Sequence, residues 1–278
     1  MKQPTIQEAR KWASSFLQTH NREERVADLM LCYLLDATMS GLFMDAHEKL
    51  ETKTYETFVE WIESHAATGK PLEHFTNTAT FYERDFYVDE NVLIPRPETE
   101  ELVQYLLGKL SGTETVVDVG TGSGIIAISL KKELPDLRVL ATDLSHEALQ
   151  IARRNAMTHD ADIEFLQGSF LEPVIEAGHN IDVVVSNPPY IAQSDRDSLS
   201  DTVIFDPEMA LFAENNGLYA YEQIIAQAKR LEPKQLAFEI GYQQGEAVSK
   251  LIQQTYSQAS PKIIQDINKK DRIVFAEC

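Results

Sequence analysis

Up to residue 72 the apolar positions recur at helical spacing and are separated by polar start signals. Thr5 followed by Glu8, and Asn21 followed by Glu24, are pairs whose side chains can satisfy the free amide groups of a helix start. After the second pair, Val26, Leu29, Met30, Tyr33 and Leu34 form one apolar face. A third helix carries Tyr55, Phe58, Val59 and Ile62 and ends near Gly69-Lys70-Pro71. These stripes, with Trp12 and Trp61, read as the core of a small helical domain rather than as ligand contacts.

Aromatic residues and valines over 81–93, punctuated by Asp89-Glu90-Asn91, predict a short hairpin. Beyond it, buried strands are expected over residues 115–119, 138–142, 163–167, 181–186 and 236–240. Helical stretches such as 125–133 and 146–157 alternate with them, the sequence form of an α/β, doubly wound and mainly parallel sheet. Two further runs, 262–267 and 272–276, are split by a polar turn and predict an antiparallel hairpin at the sheet edge. The organisation expected is a helical domain over 1–72, a hairpin linker over 73–93 and an α/β domain over 94–278.

Composition narrows the function. Against 25 basic side chains stand 44 acidic ones, a formal charge of −19, which disfavours a nucleic-acid-binding protein, whose phosphate contacts need a basic footprint. The opening residues carry Lys2, Glu8, Arg10 and Lys11 and no apolar run of a secretory leader, and no later stretch is as long as a bilayer is thick, so the expectation is a cytoplasmic protein that binds no membrane. Cys32 and Cys278 have neither disulfide-framework nor metal spacing, and the 7 histidines are scattered, so no metal is expected.

Two segments carry chemistry. The run Val116-Val117-Asp118-Val119-Gly120-Thr121-Gly122-Ser123-Gly124 passes from a strand through glycines into a helix, and Asp143 ends the next strand, where nucleotide-binding α/β folds place a carboxylate on ribose hydroxyls. The loop reads Gly-x-Gly-x-Gly and not the pyrophosphate fingerprint Gly-x-Gly-x-x-Gly, so a nucleoside without phosphates, such as S-adenosylmethionine, fits it better. Phe170, just past the following strand, can supply a face for adenine or simply pack in the core.

The second segment is Asn187-Pro188-Pro189-Tyr190, placed at a strand's carboxyl end, where open α/β sheets bind ligands. Chance would give this tetrapeptide in about one chain in a thousand of this length, so a merely structural turn is the weaker reading. A carboxamide or aromatic amino nitrogen is a poor nucleophile because its lone pair is delocalised. The Asn187 side-chain oxygen and the Pro188 carbonyl can accept its two hydrogens and stabilise the charge that develops on attack. Each proline holds the residue before it extended, and Tyr190 can pack against a flat acceptor group. The segment Ile94-Pro95-Arg96-Pro97-Glu98-Thr99-Glu100-Glu101 suits a helix's first turn, and Arg96 or Glu98 is open to a functional role as well.

Taken together these residues resemble the PrmC/HemK family of release-factor glutamine N5-methyltransferases over nearly the whole chain. The resemblance rests on Gly69-Lys70-Pro71-Leu72, on Val92 to Glu100, on the loop Gly120 to Gly124 and on Asn187 to Tyr190. Phe205-Asp206-Pro207, Ala210-Leu211, Gly217-Leu218 and Glu239-Ile240-Gly241 also look like the family. It implies a class I, Rossmann-like methyltransferase domain behind a helical domain that helps grip a release factor, with the glutamine of its Gly-Gly-Gln motif as the target. It also implies that Gly120, Thr121, Gly122, Ser123, Gly124, Asp143, Phe170 and Asn187 contact S-adenosylmethionine, and that Asn187, Pro188, Pro189 and Tyr190 contact the glutamine. The chain departs from the pattern at Gly168-Ser169, where the family often has an acid, and at Lys269 and Asn77, where it usually has glycine. Rival readings are a ribosomal-protein glutamine methyltransferase, an adenine-N6 DNA methyltransferase and a non-catalytic binding protein on the same fold.

Overall fold

The computed structural model describes residues 3–198 and 203–278, so Lys2, one of the charges at the start, lies outside the described residues. These fall into two compact units, one of residues 3–77 with 203–205 and the other of 78–198 with 206–278. Among the described residues no helix is long and apolar enough to cross a membrane.

The first unit is built from helices α1 (Ile6–Thr19), α2 (Arg25–Leu34), α3 (Met39–Met44), α4 (Thr52–Thr68) and α5 (Glu73–Thr76). Thr5 caps α1 as expected. Its hydroxyl accepts from the Glu8 N–H at 3.2 Å while the Glu8 carboxylate accepts from the Thr5 N–H at 2.8 Å, a device worth about 1 kcal/mol. The second expected cap does not form. Asn21 turns left-handed at φ 55°, α2 starts after Glu24 with no side-chain cap, and the Glu24 carboxylate accepts from the Ser14 hydroxyl instead. The α2 face is also rotated from the one predicted: Ala27, Met30 and Leu31 are buried while Leu29 and Tyr33 are exposed. Small Ala27 contributes to that face, and the Tyr33 hydroxyl is drawn outward to donate to the Thr76 carbonyl at 3.2 Å. Leu17, Met30, Leu31, Leu42, Phe58 and Ile62 fill the core, each stabilising the fold by roughly 1.5 to 3 kcal/mol before entropic costs.

The second unit opens with the hairpin β1 (Thr78–Phe81) and β2 (Arg84–Tyr87), turned through Tyr82 and Glu83, both left-handed. It closes before Asp89-Glu90-Asn91, earlier than the aromatic pattern suggested. A sheet of 7 strands follows: β3 (Thr115–Val119), β4 (Arg138–Asp143), β5 (Ile163–Gln167), β6 (Val183–Ser186), β9 (Gln235–Glu239), β10 (Lys262–Gln265) and β11 (Asp271–Glu277). Across it the order is β5-β4-β3-β6-β9-β11-β10, parallel as far as β9, with β11 antiparallel to both neighbours. The two-residue strands β7 (Ile191–Ala192) and β8 (Phe212–Ala213) pair separately.

Alternate residues along each strand serve different cores. Val116, Val139, Ala141, Val183 and Val185 meet α6 (Pro97–Leu107), α7 (Ile125–Glu133) and α8 (His146–Thr158). Val117, Leu140, Val184, Leu236 and Phe238 meet the one-turn α9 (Glu172–Glu176) and, past the one-turn α10 (Glu208–Leu211) and α11 (Glu214–Gly217), the longer α12 (Tyr219–Ala228) and α13 (Gly245–Thr255). With both faces covered, β3, β4, β6 and β9 carry the continuous apolar runs that made them readable.

The departures from family glycines are accommodated differently. Asn77 takes a left-handed φ of 52° after α5. Lys269 is left-handed too, at φ 62°, but the Asp266 carboxylate gathers the turn, accepting at 2.9 Å from the N–H groups of both Asn268 and Lys270 and pairing with Arg272.

Candidate active site

The order of the strands reverses between β3 and β6, and the crevice beyond their carboxyl ends is where an open α/β sheet binds ligands. Asp118 is registered against Val185, so the glycine loop and Asn187 leave adjacent strands side by side. The Ser186 hydroxyl ties the two exits together by donating to the Val119 carbonyl at 2.6 Å.

A cavity of about 470 Å³ occupies this crevice and is lined by Gly120, Thr121, Gly122 and Ser123, by Asp143, Ser169 and Phe170, and by Asn187 and Pro189. The structure thus brings together most of the residues expected at the site. Gly124, Pro188 and Tyr190 adjoin these residues without lining the cavity themselves. Gly124 is left-handed at φ 86°, and a Cβ there would lie 3.0 Å from Ile128 Cδ1 and 3.3 Å from the Ala152 Cβ, so glycine is needed for close helix packing. Pro188 is buried, and the Tyr190 ring is largely buried, its hydroxyl pushed up to about 12 by desolvation.

Asp143 does two jobs at the end of β4. Its Oδ2 accepts from the Gly122 N–H and its Oδ1 from the Ser145 N–H, both at 2.9 Å, so the carboxylate holds the loop while facing the cavity. Burial raises its pKa, opposed by those N–H groups. Phe170 is held left-handed at φ 51°, with Tyr219 edge-on at 6.4 Å between ring centroids, and both line the cavity. On the opposite segment, Arg96 pairs with Asp206 at 2.5 Å, and Asp206 Oδ1 accepts from the Ile94 N–H at 2.9 Å, fixing the Ile94-Pro95-Arg96-Pro97 stretch.

Three residues of consequence lie within the quoted segments but were given no role from sequence. Asp118 is fully buried beneath the loop, where Oδ2 accepts from the Thr121 hydroxyl at 2.7 Å and from the Ala127 N–H at 3.3 Å. Desolvation pushes it up to about 7. Thr99 lines the cavity and its hydroxyl accepts from Asn187 Nδ2 at 3.2 Å. Glu239 is buried at the end of β9 and is likewise raised to about 7 by desolvation. An acid within a buried apolar strand was the available signal for Asp118 and Glu239.

A glycine loop and an Asn-Pro-Pro-Tyr segment on adjacent parallel strands, with an acid ending the next strand, define a class I methyltransferase. A family model described as the Methyltransferase small domain matches residues 98–231, and one described as the PrmC N-terminal domain matches residues 8–76. The release factor glutamine methyltransferase of Bacillus anthracis is 41% identical over 98% of this chain and 99% of its own length. That of Bacillus subtilis is 41% identical over 98% of this chain and 97% of its own. A solved methyltransferase from Pyrococcus furiosus superposes with a TM-score of 0.53 over 80% of this chain and 98% of its own, at 15% identity, a likeness of fold alone. The chain belongs to the release factor glutamine methyltransferase family.

Proposed function

We propose that this enzyme transfers a methyl group from S-adenosylmethionine to the side-chain amide nitrogen, N5, of the glutamine in the Gly-Gly-Gln motif of a peptide-chain release factor. The observation that carries the reading is the convergence of Asn187 and the Gly120–Gly122 turn on one cavity, in a chain whose full-length relatives bear that name.

The cavity suits a cationic nucleoside. A Cβ built at Gly120 or Gly122 would meet nothing within 4 Å, leaving room for a ligand against the backbone. The Asp143 oxygens keep lone pairs for ribose hydroxyls beyond the one bond each accepts from the backbone. No lysine lines the cavity among the described residues, and Arg96 is already paired with Asp206, so no unpaired cationic side chain there offers itself to a phosphate. Phe170, Leu144 and Tyr219 offer apolar faces for adenine, and Ser169 offers a hydroxyl where the family often has an acid.

When bound, S-adenosylmethionine supplies an electrophilic methyl group on a positively charged sulfur. The chain's own residues handle the amide. Asn187 Oδ1 and the Pro188 carbonyl accept its two hydrogens, which draws the lone pair out of conjugation and steadies the positive charge that develops on nitrogen. The prolines hold both acceptors stiffly, so alignment of nitrogen with the methyl group is mainly positioning. The nitrogen's proton leaves to water after transfer. The helical domain, residues 1–72, supplies docking area for the release factor, because a short glutamine loop alone buries less than the ~1,200 Å² that specific association usually needs.

The test is incubation of the protein with S-adenosylmethionine and intact release factor, with any added methyl located by peptide mass spectrometry. Methyl on the Gly-Gly-Gln glutamine is the expected result. Transfer only to a ribosomal protein or to DNA adenine in parallel reactions would overturn the reading.

A further inference from the structure

We infer that Thr99 and Glu239 are positioning residues that decide which end of the Asn187 amide faces the substrate, an inference that rests on Asn187 acting as the acceptor proposed above. The register that pairs Ser186 with Phe238 brings Asn187 and Glu239 out of neighbouring strands at the same level. Thr99, in the first turn of α6, joins them. Its hydroxyl accepts from Asn187 Nδ2 at 3.2 Å and interacts with the Glu239 carboxyl. Thr99 and Glu239 are only 1% and 2% exposed.

The polarity of this chain follows from counting hydrogens. A threonine hydroxyl has one hydrogen and two lone pairs, and a carboxyl group keeps an accepting oxygen whether it is ionised or neutral. With the Glu239 carboxyl on one side and the Asn187 amide on the other, the Thr99 hydroxyl can give its hydrogen to Glu239 and keep a lone pair for Asn187. The asparagine therefore turns its NH2 toward Thr99 and its oxygen toward the cavity. The opposite orientation would set two acceptors against each other at Thr99 and would present NH2 to the N–H groups of the incoming amide. The two ends of a carboxamide are nearly equal in size, so packing alone would not separate these states.

Glu239 is costly where it sits. Its Oε2 has no hydrogen-bond partner among the described residues, and burial opposes its charge. Arg272 on β11 favours the ionised form and Glu98 on α6 disfavours it, while the Tyr221 hydroxyl bonds only the Glu239 main-chain oxygen, at 2.9 Å. A buried carboxyl left half-satisfied beside a reactive amide is the arrangement expected of a functional group rather than of a core residue.

Steady-state methylation of intact release factor tests the inference, with wild-type transfer in the same assay reporting separately on the proposed function. Thr99→Val lowers kcat about tenfold, as for loss of one oriented hydrogen bond, and leaves KM and S-adenosylmethionine affinity unchanged. Thr99→Ser, which keeps the hydroxyl, restores most of the turnover. Glu239→Gln, whose amide can present either polarity, falls between Thr99→Val and wild type. Adding Thr99→Val to Asn187→Ala costs nothing more. Isotope-edited NMR of the Asn187 side-chain amide needs no substrate: its hydrogens exchange slowly in wild type and in Thr99→Ser, and fast in Thr99→Val. Wild-type turnover in Thr99→Val, an additive double variant, or equal exchange in wild type and Thr99→Val would each overturn the assignment.

Discussion

The side-chain nitrogen of Gln244 donates to the main-chain oxygen of Tyr190 at 3.0 Å and so anchors the far end of the segment that begins at Asn187. The same side chain accepts from the Gly241 N–H at 3.1 Å and reaches the Gly217 carbonyl at 3.4 Å, joining loops that leave β6 and β9. Gly217 is left-handed at φ 81°, and a Cβ on it would lie 2.1 Å from the Tyr190 oxygen.

Gly217→Ala therefore pushes the Tyr190 carbonyl off Gln244 and drags the preceding prolines with it. Turnover is expected to fall at least tenfold, and stability by roughly 1 to 3 kcal/mol for overpacking against backbone. Wild-type kcat together with an unchanged melting temperature would show that the loops move apart freely.

Asp143→Ala removes the acceptor proposed for ribose and also frees Gly122. Cofactor affinity should drop by roughly 1.5 to 3 kcal/mol, the scale of a hydrogen bond to a charged group. Calorimetry giving wild-type affinity would take Asp143 out of the site.

Asn187→Ala should leave the fold and cofactor binding intact while reducing turnover on the order of a hundredfold or more, as for deletion of a transition-state hydrogen-bond partner. Near-normal turnover would reduce the Asn-Pro-Pro-Tyr segment to a rigid corner.

Stability should depend on pH through Glu239, raised on folding from 4.5 to about 7 by desolvation. Between those values the folded chain binds the proton more tightly than the unfolded one. The favourable contribution is thus complete below about 4.5 and is lost as pH rises through 7. Glu239→Gln cannot ionise, so thermal melts from pH 5 to 8 should show a smaller decline than wild type, by roughly a few degrees. Parallel melting curves for the two proteins would contradict this.

Much of the α/β fold was legible because β3, β4 and β6 are buried on both faces and bounded by glycine or polar residues, which leaves a plain apolar run. The glycine loop and the Asn187–Tyr190 segment were legible because their chemistry is local in sequence. The hairpin was harder: its turn uses Tyr82 and Glu83 in left-handed conformations that neither residue type announces. The α2 face went astray because Ala27 is too small to weigh in a hydrophobic stripe and Tyr33 is large but exposed. Thr99 and Gln244 act on partners far along the chain, brought near only by the order of strands in the sheet, and no local pattern encodes that.

The turn before β11 has an evolutionary consequence. Its left-handed position at Lys269 would ordinarily be reserved for glycine, yet here the backbone is drawn into shape by Asp266 from three residues upstream. That transfers selective constraint from one codon to another. Position 269 is released to drift among side chains that can bear the strain of about 1 kcal/mol, whereas loss of the carboxylate at 266 would strand two amide groups and Arg272 at once.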